Sequence, residues 1–201
     1  WSSGGGKYNL GEKRMTRILR VDLTTGKGSF EELPGRYKGL GGRGLTSAIV
    51  AAEVPPKADP LGPENVVVFA PGIIAGTSLP NSGRLSVGAK SPLTGTIKES
   101  NSGGSAARKL ARLGISALVL RGKSAGPVTI AITKEGVAFR PASSCAGPRG
   151  CERLANGSGR ELARHRSFHA EVRPLNQGRG FDGHPPDVHV GGGALDWSVG
   201  S

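Results

Sequence analysis

The chain has little of what many small domains rely on. Of its 201 residues only 4% are aromatic, one is Met and two are Cys. Cys145 and Cys151 have five residues between them. Two cysteines are too few for a disulfide framework, and their spacing is wider than the close pairs of a tetrahedral metal site. No apolar run approaches the roughly 20 residues that a membrane helix needs. The first residues also lack the apolar segment of a secretory signal, so a cytoplasmic protein without membrane contact is expected. Acid is scarce as well, with 15 Asp/Glu against 27 Lys/Arg and a formal charge of +12. The excess lies in residues 1–140, which hold 20 Lys/Arg and 9 Asp/Glu; the remainder has 7 Arg and 6 Asp/Glu. A basic region of this kind suits an anionic cofactor, nucleic acid or an acidic protein. Glycine, by contrast, is abundant at 34 residues, which favours a turn-rich β structure over a helix bundle.

The chain divides into three stretches. Residues 1–14 are polar and Gly-rich and precede Met15, the only Met; they read as upstream sequence or a disordered leader and are set aside. Residues 15–142 are well patterned. Arg17 to Leu23 alternates apolar and polar, as a half-buried strand does, and Gly28 to Glu32 can pair back across Thr24-Thr25-Gly26. Leu45 to Val54 reads as a helix stopped by Pro55-Pro56. Asn65 to Ala70 is a continuous apolar run that suits a buried strand, and Leu85–Ala89 and Thr96–Ser100 read as strands. Ser105 to Leu113 reads as a second helix closed by Gly114. Ala117–Leu120, Val128–Ile132 and Val137–Arg140 are further β-rich runs. The expected fold is α+β and β-rich, with two short helices. From residue 143 to 201 the pattern stops: there is no Lys, and all four His (His165, His169, His184, His189) fall here. Such a tail has too little apolar periodicity to offset ordering entropy and is expected to be disordered or not native.

Several motifs are weaker than they look. Gly39-Leu40-Gly41-Gly42-Arg43-Gly44 matches G-x-G-x-x-G, but Pro34 to Lys38 before it is no strand, so a Gly-rich helix start is the better reading. Arg43 could still serve a phosphate there. Arg121-Gly122-Lys123-Ser124 resembles the end of a P-loop, but Ala117 stands where its first Gly belongs. A Ser-His-Asp triad has no credible base, since every His lies in the tail. Arg108, Lys109 and Arg112 share a helix face that reads as solvated. Nucleic-acid binding would want aromatic platforms that the patterned region lacks; it is kept as an alternative from another functional class.

The most informative stretch is Pro71 to Gly104, PGIIAGTSLPNSGRLSVGAKSPLTGTIKESNSGG. Its glycines let backbone approach a ligand closely, its turns can form anion-binding concavities, and Arg84 offers a forked donor suited to phosphate. The stretch fits a large, polar, phosphate-bearing cofactor.

Residues 15–142 resemble the N-terminal domain of the tungsten-containing aldehyde ferredoxin oxidoreductases. The resemblance is carried in order by Arg20 to Gly26, Gly41-Gly42-Arg43-Gly44-Leu45, Asp59-Pro60-Leu61 with Pro63-Glu64-Asn65, Gly76-Thr77-Ser78, Gly83-Arg84, Lys90 to Gly95, and Asn101-Ser102-Gly103-Gly104. It implies a β-rich base for a tungsten bis-pterin cofactor whose metal is held by pterin dithiolenes, not by side chains. Arg84, Asn101 and Gly103 match the family's pterin-contacting positions. By that resemblance Arg84 neutralises phosphate, Asn101 orients pterin polar atoms and Gly103 admits close approach. It further implies an enzyme that oxidises aldehydes to carboxylates and passes electrons through a [4Fe-4S] cluster to ferredoxin, and a homo-oligomer is compatible with it. The cluster's Cys ligands belong to later domains and are absent here, so this chain alone is expected to be inactive. A sister reductase acting on a CoA ester or another oxo substrate is the nearby alternative. After Ser143 the family continues with a Trp-Gly pair, where this chain reads Ser144 to Gly150. The codons of Ala146-Gly147 contain an out-of-frame N-G-G triplet that can encode Trp. The tail is therefore read as a frameshifted translation, an idea that fails if no other frame of the DNA restores family sequence.

Overall fold

The computed structural model describes residues 15–124, 128–134 and 136–141, together with the backbone of three strands at 168–172, 188–191 and 196–198. Expectations for the leader, for Cys145 and Cys151 and for most of the tail lie outside the described residues.

Two sheets and two helices form the described fold. The first sheet contains β1 (Arg17–Asp22), β2 (Lys27–Glu32), β3 (Val66–Pro71), β4 (Leu85–Lys90), β5 (Ile97–Ser102) and β6 (Ile115–Arg121), in the order β2-β1-β6-β3-β4-β5. Only β1 and β6 run parallel; the other neighbours are antiparallel. The second sheet contains β7 (Val128–Ile132), β8 (Val137–Pro141), β9 (Phe168–Val172), β10 (Val188–Gly191) and β11 (Asp196–Ser198), in the order β11-β10-β9-β7-β8. Helix α1 is Gly42–Glu53 and α2 is Ala106–Arg112. This is the α+β, β-rich arrangement expected, with both helices and every strand of the patterned region present to within a few residues. No strand period was expected after Ser143, yet β9 to β11 pair there, β9 lying antiparallel to β7.

Alternation along the central strands builds two cores. Ile18 of β1, Val66, Val68 and Ala70 of β3, and Ala117 and Val119 of β6 face α1, which presents Leu45, Ile49 and Val50. Leu19, Val21, Phe69, Leu118 and Leu120 point the other way, toward α2 and toward Ile130 and Ile132 of β7. Strands covered on both faces read as near-continuous apolar runs, which is how Asn65 to Ala70 stood out. α2 meets the sheet mainly through Ala106, Ala107 and Ala111 around Leu110. It ends at Gly114, whose φ is +78° and whose N–H donates to the Ala111 carbonyl at 2.9 Å; Arg17 Nη2 covers the Leu113 carbonyl at 2.9 Å.

Two contacts fix α1 over the sheet. A Cβ on Gly88 of β4 would stand 2.8 Å from Thr46 Cβ, so only glycine lets the helix lie this low. At the other end Arg20 donates to both Glu53 oxygens at 2.8 and 2.7 Å and to Glu31 at 2.7 Å. The Glu53 hydrogen bonds, with Glu31 adding to them, hold the guanidinium pKa above its ordinary value. The loop after α1 is pinned from β4: buried Lys90 donates its ammonium to the Pro56 and Ala58 carbonyls at 2.6 Å each, and Asn65 Nδ2 donates to the Pro60 and Lys90 carbonyls.

Candidate functional site

The Gly-rich stretch folds into the margin of the first sheet: the end of β3, a loop, β4, a short turn and β5. Asn81, at φ 58°, is the one described non-glycine residue in the left-handed region; its short polar side chain tolerates that conformation. The loop then passes Gly83, where a Cβ would stand 2.6 Å from the Gly104 carbonyl oxygen. That contact brings the start of β4 against the end of β5, and no side chain would fit between them.

Strand register does the rest. Ser86 stands opposite Asn101, and Gly88 opposite Glu99. Alternation places Ser86 on the same face as Gly88, the face α1 covers. Arg84 Nη1 donates to Asn101 Oδ1 at 3.1 Å, and Asn101 Nδ2 donates to Ser86 Oγ at 3.0 Å. Two of the three residues expected to contact the cofactor, Arg84 and Asn101, are thus joined directly. Each Asn101 amide atom has one partner within the chain, so its first role is to aim the Arg84 guanidinium. Arg84 is exposed, and among the described residues its Nε and Nη2 have no partner. Gly103, the third, has nothing within 4 Å of where a Cβ would stand; its backbone borders open space.

Residues not expected there complete the margin. The first turn of α1 overhangs it: a Cβ on Gly42, at φ +52°, would stand 3.4 Å from Ser86 Oγ. Gly41 caps the helix with no side-chain hydrogen bond, and the first turn holds no acid. The first N–H groups of a helix have no intrahelical partner and carry the partial positive charge of the helix end. Arg43 Nε donates to Glu99 Oε2 at 3.2 Å, and the other carboxylate oxygen of Glu99 is buried without a partner. Leu40, Ile73, Ile74 and Leu79 are exposed large apolar side chains. Leu40 and Ile73 lie beside Gly44 and Gly41 respectively, so an apolar rim adjoins the cationic floor. The glycines at 41, 42 and 44 hinted at a helix start in the sequence; Glu99 left no signal.

Other motifs resolve simply. Gly39 to Gly44 follows a 3-10 turn at Gly35–Tyr37 and opens α1, with no strand before it. Arg108 and Arg112 are exposed on α2, as expected of a solvated face; Lys109 is half-buried, and that burial lowers its pKa. Among the described residues no three His, Cys, Asp or Glu side chains converge to hold a metal, and no helix is long and apolar enough to cross a membrane. The arrangement can grip an anion: a guanidinium with a free edge, uncapped N–H groups and glycine-lined backbone. The residues present therefore fit the phosphorylated arm of a large cofactor, with the apolar rim available to its body.

Comparison with known proteins gives three kinds of match. The model of the aldehyde ferredoxin oxidoreductase N-terminal domain matches residues 18–164, running past the boundary at 142 drawn from patterning. The tungsten-containing aldehyde ferredoxin oxidoreductase of Thermococcus kodakarensis is 46% identical over 129 residues, 63% of this chain and 21% of that protein. The Pyrococcus furiosus enzyme of the same name is 43% identical with the same coverage. The aliphatic sulfonate oxidoreductase WOR-like subunit of Pyrococcus furiosus is 30% identical over 182 residues, covering 88% of this chain and 28% of that protein. Among solved structures, the active-site complex of benzoyl coenzyme A reductase with 1,5-dienoyl-CoA superposes with a TM-score of 0.71 and 32% identity, over 79% of this chain and 24% of that one. The chain spans about a fifth of the length of the tungsten-containing relatives it matches.

Proposed function

The chain belongs to the aldehyde ferredoxin oxidoreductase family, through that family's N-terminal domain, and on that premise we propose that it forms the base holding a tungstopterin by its phosphorylated side. The observation that carries this reading is the Arg84–Asn101–Ser86 relay beside the close pass of Gly83 and Gly104. Asn101 fixes the guanidinium; Nε and Nη2 of Arg84 donate to phosphoryl oxygens; the open backbone at Gly103 lets the pterin body come near. Asn101 retains one amide hydrogen and acceptor capacity for a polar pterin edge. Leu40 and Ile73, beside Gly44 and Gly41, shield the body from water. When bound, the tungsten centre supplies the two-electron chemistry by which an aldehyde becomes a carboxylate.

The complete reaction needs more than this base. A [4Fe-4S] cluster takes four thiolates, and the chain's two Cys cannot supply them. Ferredoxin as acceptor, aldehyde as substrate and a cytoplasmic setting belong to the same proposal; a basic surface suits an acidic electron carrier. A second reading, a reductase for a CoA thioester, draws on the similarity to the benzoyl coenzyme A reductase complex; it keeps the same cradle and changes only the substrate. The nucleic-acid alternative gains nothing here. Tyr37 and Phe69 are buried, and Phe30 lies under Arg17 at 4.8 Å on β2, so among the described residues these three offer the margin no aromatic platform.

The test is Arg84→Gln in the intact protein purified from tungstate-grown cells. Loss of a charge-assisted bond should lower tungsten and pterin content about tenfold. Unchanged content in a correctly folded variant overturns the assignment.

A further inference from the structure

We propose that Arg43, with the first turn of α1, is a second phosphoryl-binding arm of the same cradle, and that Glu99 is the residue that positions it. The inference rests on the cofactor base proposed above and extends it to residues that the family resemblance did not assign to the cofactor.

Glu99 and Asn101 lie on one face of β5, two residues and so about 6.6 Å apart along the strand. One anchors Arg43 and the other anchors Arg84. Opposite Asn101, Ser86 sits under Gly42 of the helix start. Two guanidiniums are thus tethered side by side on a single strand face, each by one donor position: Nε for Arg43 and Nη1 for Arg84. Among the described residues both Nη groups of Arg43 are unused. Its side chain is 76% exposed, whereas the Glu99 side chain that holds it is 12% exposed. The pair is open to solvent on the Arg43 side, where screening weakens what it adds to stability. As a splint it makes sense: Glu99 holds the head of a flexible side chain at one place and leaves its bidentate edge free. The glycines at 41, 42 and 44 leave Arg43 as the only side chain on that stretch. An anion drawn to the uncapped N–H groups therefore meets Arg43 and no other side chain of that stretch.

The experiment uses inorganic pyrophosphate as probe and the whole chain labelled with 15N. Backbone amides of Gly42 and Gly44 and the Nε–H signals of Arg43 and Arg84 are followed during titration at fixed ionic strength. Saturable shifts at all four are expected. Arg43→Gln should weaken pyrophosphate about tenfold, the loss of one charge-assisted bond, and Arg43→Lys, which keeps charge but not the fork, about threefold. Arg108→Gln, on the solvated face of α2, should leave binding unchanged. If Arg84→Gln weakens binding and Arg43→Gln does not, the second arm is wrong and the base stands. If neither variant matters, or the unsubstituted chain shows no saturable shift, both readings fall. Retained amide dispersion in each variant separates lost binding from lost fold.

Discussion

The middle of the first sheet and its β4–β5 margin are built on opposite terms. In the middle, β1, β6 and β3 carry apolar side chains on both faces, and Arg20 there has its guanidinium engaged by two carboxylates. At the margin the face under α1 is polar. Lys90 there is engaged by two carbonyls, but among the described residues Arg84 and Arg43 each make one side-chain bond and keep free donors. Groups that are buried must be satisfied internally; groups left with spare donors in an open, rigid setting are prepared for something else. The middle holds the fold together, and the margin keeps the spare donors on which the proposed anion site rests.

The strongest way to break that contrast is to treat both regions alike. Leu118→Ala, in the fully buried centre of β6, should cost about 3 kcal/mol, read as a lower midpoint in urea unfolding. Arg84→Gln should leave that midpoint nearly unchanged, because Arg84 is exposed. If the two variants lose similar stability, the margin is structural and the division fails.

A smaller effect should appear where the two regions meet. Gly88→Ala puts a methyl group 2.8 Å from Thr46 Cβ, and neither β4 nor α1 can yield without moving the other. The expected cost is about 2 kcal/mol. The variant should also weaken pyrophosphate binding, since lifting α1 carries Gly42 and Arg43 away from Ser86. Loss of stability with binding intact would mean that the height of the helix does not set the cradle.

Much of the middle was legible in the chain, and for a physical reason. Val66 to Pro71 is buried on both faces, so its apolar run needs no context to be read, and Gly114 marks a helix end by its φ alone. The margin was legible only as composition. The sequence placed the helix start at Leu45, because Gly42 and Gly44 are poor helix formers; the helix instead begins at Gly42, close to Ser86, 44 positions later in the chain. Arg84 and Asn101 stood out as a cation and an amide among glycines, but their mutual bond depends on the register of β4 and β5. Glu99 reads as one polar residue in a strand until Gly88 and α1 are placed beside it. The parallel pairing of β1 with β6 joins residues about a hundred apart, and no local pattern announces it.

The smallest effect belongs to the other end of that parallel pair, where no ligand is invoked. Asp22, at the close of β1, accepts the Thr24 N–H at 2.8 Å and the Thr25 N–H at 3.3 Å through one oxygen. Thr24 Oγ1 in turn accepts the Lys123 N–H at 3.1 Å, just beyond β6. The Thr24 bond first, then the Thr25 bond, holds the Asp22 carboxyl below its ordinary pKa. A carboxyl depressed in the folded state adds stability above its unfolded pKa, roughly 3.9, and that stability is lost as pH falls through the folded value. Asn at this position still accepts the Thr24 N–H but carries no charge. Asp22→Asn should therefore melt slightly below the unsubstituted chain at neutral pH, and the gap should close as pH is lowered below 4. A gap that persists to pH 2 would assign the turn to its hydrogen-bond geometry alone. Either way the turn lies across the sheet from β5, so its loss should leave pyrophosphate binding at the far margin untouched.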